Sequence, residues 1–381
     1  MSSPAPQAFP AAPQWPQPRP RSLPTLVVEI VGIALGTAGV LYLLSYILSE
    51  AGASATFASG LVAMLPLAGV LLAIVWVDRW EPEPKWLLIA ALAWGAGVST
   101  VLALQLNTAY AIWAYSQSGD RLQADVLSAV ISAPLVEEGL KGLGVLLVFL
   151  FRRKFFDGPV DGIVYAAVVA AGFAFTENVL YFAQSAEAGA LGMTFVLRGI
   201  MSPFAHIVFT AVTGIALGFA SRSTNRLAWV WMFPVGLLGA ALLHAVWNAS
   251  ASLGGYYFIL YFLFQVPLFV AGIVLVVWLR NDEKATIGNR LTEYAQAGWF
   301  APHEIYMLTS FKGRRVARAW AAARGDGPEA AMKDFQKYAT LLAFTRQRAL
   351  SGRYDMGVRR DEQDLLARVT RARAGFTGAP G

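Results

Sequence analysis

Eight stretches of this chain stay apolar for about twenty residues or more: roughly 25–48, 54–77, 86–113, 126–150, 159–183, 199–220, 227–249 and 256–279. That is the length a helix needs to cross a hydrocarbon core ~30 Å thick. Lipid offers no hydrogen bonds, so each run must satisfy its own backbone, and a helix does so within one segment. Only 14% of residues are charged and 56% are hydrophobic, whereas soluble chains carry about 25% charge. The reading is an all-α, polytopic transmembrane helical bundle of about eight spans over residues 25–279.

The flanks differ from this core. Residues 1–24 hold eight of the nineteen prolines and almost no apolar period, which predicts a disordered, partly extended N-terminal arm. Residues 280–381 return to a soluble pattern. Met332, Phe335, Tyr338, Ala339 and Leu342 recur at helical spacing after Pro328, and Gly325-Asp326-Gly327 marks a break before them. They predict a small, basic, helical cytoplasmic domain. The net charge of +6 resides there, with 17 Lys and Arg against 11 Asp and Glu in residues 281–381. It therefore gives no reason to expect a nucleic-acid partner; the anionic inner leaflet is the plainer attraction. The absence of cysteine excludes disulfides, thiolate metal sites and a cysteine nucleophile.

Lys and Arg in the connections set the expected orientation. Arg19, Arg21, Arg79, Lys85, Arg152, Arg153, Lys154, Arg222, Arg226 and Arg280 fall on one side, against Arg121 and Arg198 on the other. Both termini are then expected in the cytoplasm of a multi-pass cell-membrane protein.

Ionisable groups inside the spans need a reason, since each costs about 2.5–3.5 kcal/mol at the bilayer centre. The fourth span holds Glu137, Glu138 and Lys141, with Lys141 three and four residues from the acids and on one helix face with them. The fifth holds Glu177 and Asn178. The sixth holds His206, with Arg198 at its mouth, where a snorkelling interfacial arginine is the plainer reading. The seventh holds His244 and Asn248, four apart. Helix rise places Glu177 ~27 Å and His244 ~25 Å from the starts of their spans. By the same measure His206 lies ~10 Å and Glu137 ~15 Å below the outer ends of theirs. All converge on the outer half of the membrane, as one polar chamber flanked by Ser202 and Thr210 a turn above and below His206.

Such a chamber suits water activation. Two neighbouring carboxylates in low dielectric cannot both ionise cheaply, so one holds a proton while the other serves as base. A histidine can share the proton traffic, and a histidine with an asparagine on one face can donate to an oxyanion. These are the parts of a hydrolase acting on an amide bond.

Glu137-Glu138-x-x-Lys141, Phe173-x-x-x-Glu177-Asn178, His206 and His244-x-x-x-Asn248 resemble the four motifs of the PrsW intramembrane proteases. Asp78-Arg-Trp-Glu-Pro-Glu-Pro84 and Asp161-Gly-Ile-Val-Tyr165 resemble that family too. The likeness covers about residues 70–250 and extends to the CAAX-processing membrane endopeptidases. It implies cleavage of a membrane-anchored protein, an anti-sigma factor cut at its extracytoplasmic side to begin a stress response. It implies Glu137 and Glu138 as the catalytic pair, His206 as water-positioning partner, and His244 with Asn248 as oxyanion donors. Glu177 stands where the CAAX pattern has a histidine, so it is either catalytic or an orienter, with Lys141, Asn178 and Arg198 supporting. No cofactor is required by this reading, although carboxylates with imidazoles can ligate zinc, so a metal stays open.

The rival is a proton- or cation-coupled transporter using the same buried groups. It predicts an inverted repeat, which the uneven spread of charge between the halves disfavours. A buried ion pair would explain Glu137, Glu138 and Lys141 alone, Glu29 is accounted for by its helix terminus, and Asp161 is expected to cap its helix or hold Arg152–Lys154.

Overall fold

A computed structural model describes residues 23–350 and 356–378. The expected Pro-rich arm lies outside the described residues, apart from Leu23 and Pro24, which begin the first helix. Among the described residues there is no strand. The membrane part comprises α1 (Leu23–Val77), α2 (Lys85–Ser118), α3 (121–151), α4 (Pro159–Glu187), α5 (Leu191–Arg222), α6 (Ala228–Ser252) and α7 (Gly254–Gln296).

Six of these are long and apolar enough to cross a membrane by length and composition. α1 carries two of the expected spans as two limbs, divided at Gly52, whose left-handed φ of 73° breaks the helical backbone; only glycine adopts that conformation at little cost. α3 is the remaining one, and its charges at Glu137, Glu138 and Lys141 alone set it apart. The eight helical segments therefore lie where hydropathy predicts them. Helical turns of the wider π type interrupt α2 (Trp94–Ser99), α3 (Ser128–Ser132) and α5 (Val196–Met201), a distortion common at functional sites.

α4 is the axis of the bundle. Every residue from Pro159 to Phe173 is buried, so this helix is covered on all sides. α5 approaches it backbone to backbone: a Cβ on Gly162 would lie 2.0 Å from the carbonyl oxygen of Gly214, and one on Gly214 2.1 Å from that of Gly162. Small residues permit such close packing where no hydrophobic effect drives helices together.

The two further motifs meet at the start of α4. The Asp78 carboxylate accepts the backbone N–H of Glu83 at 3.0 Å, and the hydroxyl of buried Tyr165 donates to Glu83. Burial raises Asp78 to about 7 and Glu83 well above the usual carboxylate range, the latter also through the charge of Asp161. Asp161 accepts the N–H of Gly158 at 3.0 Å and so caps α4. Glu29 is buried and ion-paired with Arg152, a tie between helices beyond what its position at a helix end implied.

One compact unit extends to Lys284 and a second begins at Ala285. The second contains α8 (Pro302–Leu308), α9 (Phe311–Ala322), α10 (Asp326–Arg348) and α11 (Met356–Thr377). Met332, Phe335, Ala339 and Leu342 of α10 are buried as their period requires, with Phe335 between Phe300 and Phe376 at 6.0 and 5.3 Å.

Candidate active site

Four helices bring the polar residues of the spans into one cluster. Glu138 and Lys141 on α3 are fully buried, with Lys141 Nζ 2.6 Å from Glu138 Oε1. Lys141 also donates to His206 Nδ1 at 3.1 Å and lies over the Phe173 ring at 4.4 Å. His206 Nε2 reaches Glu177 Oε2 at 3.0 Å. His244 on α6 donates through Nδ1 to Glu138 Oε1 at 3.0 Å, and its ring stacks on Phe209 at 5.1 Å. The two imidazole centroids are 5.2 Å apart.

The carboxylates are not equivalent. Glu138 receives three donors: Lys141, His244 and the Thr210 hydroxyl, the last at 2.8 Å on Oε2. An ionised carboxylate only accepts, so this environment is built for that form. Glu137 Oε1 accepts a long bond of 3.3 Å from Asn107, while its buried Oε2 has no hydrogen-bond partner. That oxygen lies 3.8 Å from Lys141 Nζ and 3.9 Å from His244 Nε2. A buried carboxylate oxygen without a partner is costly unless something occupies the space before it.

Asn107 on α2 is anchored in turn. The Ser132 hydroxyl donates to its side-chain oxygen at 2.9 Å and Ser128 to its backbone oxygen at 3.3 Å, both from the widened turn of α3. Asn107 was missed as a site residue from the sequence, although an asparagine in an apolar span is itself a signal; Thr210 was expected only to flank the chamber, not to donate to Glu138. Thr210 is completely buried and does not border the cavity.

Arg198 corrects the expectation of an interfacial, snorkelling side chain. It ion-pairs with Glu177, donates to Asn178 Oδ1 at 2.9 Å and lies over the Tyr181 ring at 4.0 Å. Its helix breaks immediately afterwards. Pro203 has no N–H to donate, so Ser202 bonds back to the carbonyl of Leu197 at 2.8 Å and the Tyr261 hydroxyl donates to that of Met201 at 2.8 Å. Irregular backbone at membrane depth is tolerated where it borders a polar cavity.

A cavity of about 110 Å³ opens between these groups. Glu137, Glu177, Arg198, His206, His244 and Asn248 all border it, while Glu138 and Lys141 lie behind. Asn248 donates to the Ala129 carbonyl at 2.7 Å, which leaves its second amide hydrogen. Ligand atoms of Glu137, His206 and His244 lie within 4.8 Å of one another. The Oε2 of Glu137 and the Nε2 of His244, neither with a hydrogen-bond partner, make this oxygen-and-imidazole set fit a zinc-like ion, and Glu138 orients His244 as an outer carboxylate does in metal sites. His206 would exchange one of its present partners for the ion.

The family described as "PrsW family intramembrane metalloprotease" matches residues 83–272. Protease PrsW of Clostridioides difficile is 28% identical over 194 residues, covering 49% of this chain and 76% of its own length. The corresponding protein of Oceanobacillus iheyensis is 29% identical, covering 47% and 76%, and that of Bacillus subtilis 29%, covering 42% and 68%. No solved structure matches the chain.

Proposed function

The chain belongs to the PrsW family of intramembrane proteases, and on that premise we propose that Glu137 activates the water that hydrolyses a membrane-anchored protein. The observation that carries this is the pairing of two unengaged acceptors. Glu137 Oε2 and His244 Nε2 stand 3.9 Å apart on the cavity wall, a gap that one water bridges with ordinary hydrogen bonds. With one hydrogen directed to each, the water turns a lone pair toward the cavity, where the scissile carbonyl enters. In its ionised form, the costlier one to reach beside an already charged Glu138, Glu137 takes the proton as the water oxygen bonds to the carbonyl carbon, and returns it to the departing amine nitrogen. The remaining amide hydrogen of Asn248 serves the oxyanion. His244 thereby becomes a water-orienting group, since its Nδ1–H is committed to Glu138. Lys141, Thr210 and Glu138 hold that orientation from behind, and Arg198 with Asn178 fixes Glu177 against His206.

When bound by Glu137, His206 and His244, a zinc-like ion would polarise the carbonyl and acidify water. With the ion bound, His206 would give up Lys141 or Glu177, its two present partners.

The cavity lies near the connections that carry few basic residues. By the positive-inside bias it faces outward, with both termini in the cytoplasm. The substrate is then a single-span protein cut near its outer membrane boundary, of which an anti-sigma factor controlling a stress response is the kind the family likeness implies. The test is cleavage of a purified single-span substrate in detergent. Wild type cuts it and Glu137→Gln does not, and full activity in that variant ends the proposal.

A further inference from the structure

A second hollow, about 590 Å³ and lined almost wholly by apolar side chains, runs beside the polar cavity. Its walls are the second limb of α1, α4, α5 and α7, with Leu243 of α6 at one point. We propose that this groove seats the transmembrane helix of the substrate, an inference that rests on the protease reading of the adjoining cavity.

Continuity with the cavity is the first argument. α5 presents two faces at its break. Ser202, Ala205 and His206 face the polar cavity, Phe204 and Ile207 line the groove, and Pro203 borders both. A helix lying in the groove thus ends beside Glu137 and His244, where its chain can unwind and deliver an extended peptide.

Dimensions are the second argument. The lining on α5 runs from Ile200 to Ile215 and on α7 from Tyr261 to Val276. Each stretch is roughly 22 Å of helix, most of a hydrocarbon core ~30 Å thick. The apolar stretch of α7 is scarcely covered by the rest of the protein, so the groove is open to sideways entry.

The lining chemistry favours a helix over an acyl chain. Ala73, Ala167, Ala211 and Gly272 are small residues on the α1, α4, α5 and α7 walls. Small residues allow two helix backbones to approach, and a lipid tail gains nothing from them.

The experiment uses full-length wild-type protein in nanodiscs with a synthetic single-span Leu/Ala peptide of about 22 residues carrying a benzophenone at its centre. Irradiation should place adducts on groove residues of α5 and α7. A Cβ at Gly272 would meet only Val208 Cγ2, at 3.9 Å, so Gly272→Trp fills the groove without crowding the backbone. That variant, and Ala73→Trp on the opposite wall, should each lower adduct yield roughly tenfold. Leu238→Trp on the exposed face of α6 should not lower it. Adducts spread over all lipid-facing surfaces, or a yield indifferent to both fillings, would show a groove that holds lipid alone and would overturn the proposal. No bond is cleaved in this readout. Full proteolysis by Glu137→Gln with adducts still in the groove would defeat the chemistry assigned to Glu137 and leave the docking proposal standing.

Discussion

His244 gives its Nδ1–H to Glu138 Oε1 at 3.0 Å, and that bond fixes what its second nitrogen can do. Nε2 is left as an acceptor, turned toward the one carboxylate oxygen of the glutamate pair without a hydrogen-bond partner. The two acids of one motif therefore have different work, Glu138 as a fixed acceptor and Glu137 as the group exposed to the cavity.

Substitution should separate them. Glu137→Gln should lower cleavage by about 10²–10⁴-fold, the usual value of a general base, and leave the melting temperature nearly unchanged. Glu138→Gln should lose cleavage and stability together. It strips Lys141 of a carboxylate at 2.6 Å, and breaking a buried pair costs about 3–5 kcal/mol. Thermal unfolding of both purified variants reads the difference; equal losses would mean the acids share one structural role.

Asn107→Leu should reduce kcat by roughly 10²-fold with KM little changed, because it removes the donor that orients Glu137 without touching the cavity. Steady-state kinetics on a single-span substrate gives the split. An unaltered kcat would show that the 3.3 Å contact positions nothing.

Stringent chelation should leave cleavage intact, since Glu137 Oε2 and His244 Nε2 already converge on one water. Loss of activity that zinc alone restores, with zinc binding abolished in His244→Ala, would hand water activation to a metal held by Glu137, His206 and His244.

Single cysteines can be placed in this cysteine-free chain. Ser202→Cys, on the cavity wall, should react with an impermeant thiol reagent added outside. Arg153→Cys should be protected until the membrane is broken. Thr210→Cys should stay unlabelled on either side, being fully buried against Glu138. Labelling of Arg153→Cys alone would invert the topology and place the cut in the cytoplasm.

Asp78 supplies a pH signature. Its carboxyl is raised to about 7 in the fold by burial, so between its ordinary value and 7 the folded protein holds a proton that the unfolded chain has released. Stability is then greatest at low pH and falls as pH rises toward 7. Melting temperatures from pH 5 to 8 should decline less steeply in Asp78→Asn than in wild type. Some slope should persist, because Glu83 is shifted in the same direction. Parallel curves would exclude the Asp78 contribution.

The spans were legible in the sequence because burial in lipid demands continuous apolar runs. The site was legible because Glu137, Glu177, His206 and His244 interrupt those runs. Division of labour between Glu137 and Glu138 was not, because it is imposed by Asn107 and Thr210, which lie 30 and 72 positions away. Arg198 was legible only in part, as a supporting residue implied by the family likeness. Its residue type and place near a helix end fit the interface, whereas its partners Glu177 and Asn178 lie 21 and 20 positions away.

The contact of Gly162 with Gly214 has a mechanical consequence. Sliding α5 along α4 by one position would drive a side chain into a carbonyl, so these two helices behave as a single casting. Glu177 and His206 ride on it, and their 3.0 Å spacing is machined into the backbone. Accommodation of substrates of different girth then falls to α7, the least anchored wall, and selectivity in such an enzyme is exercised at the door.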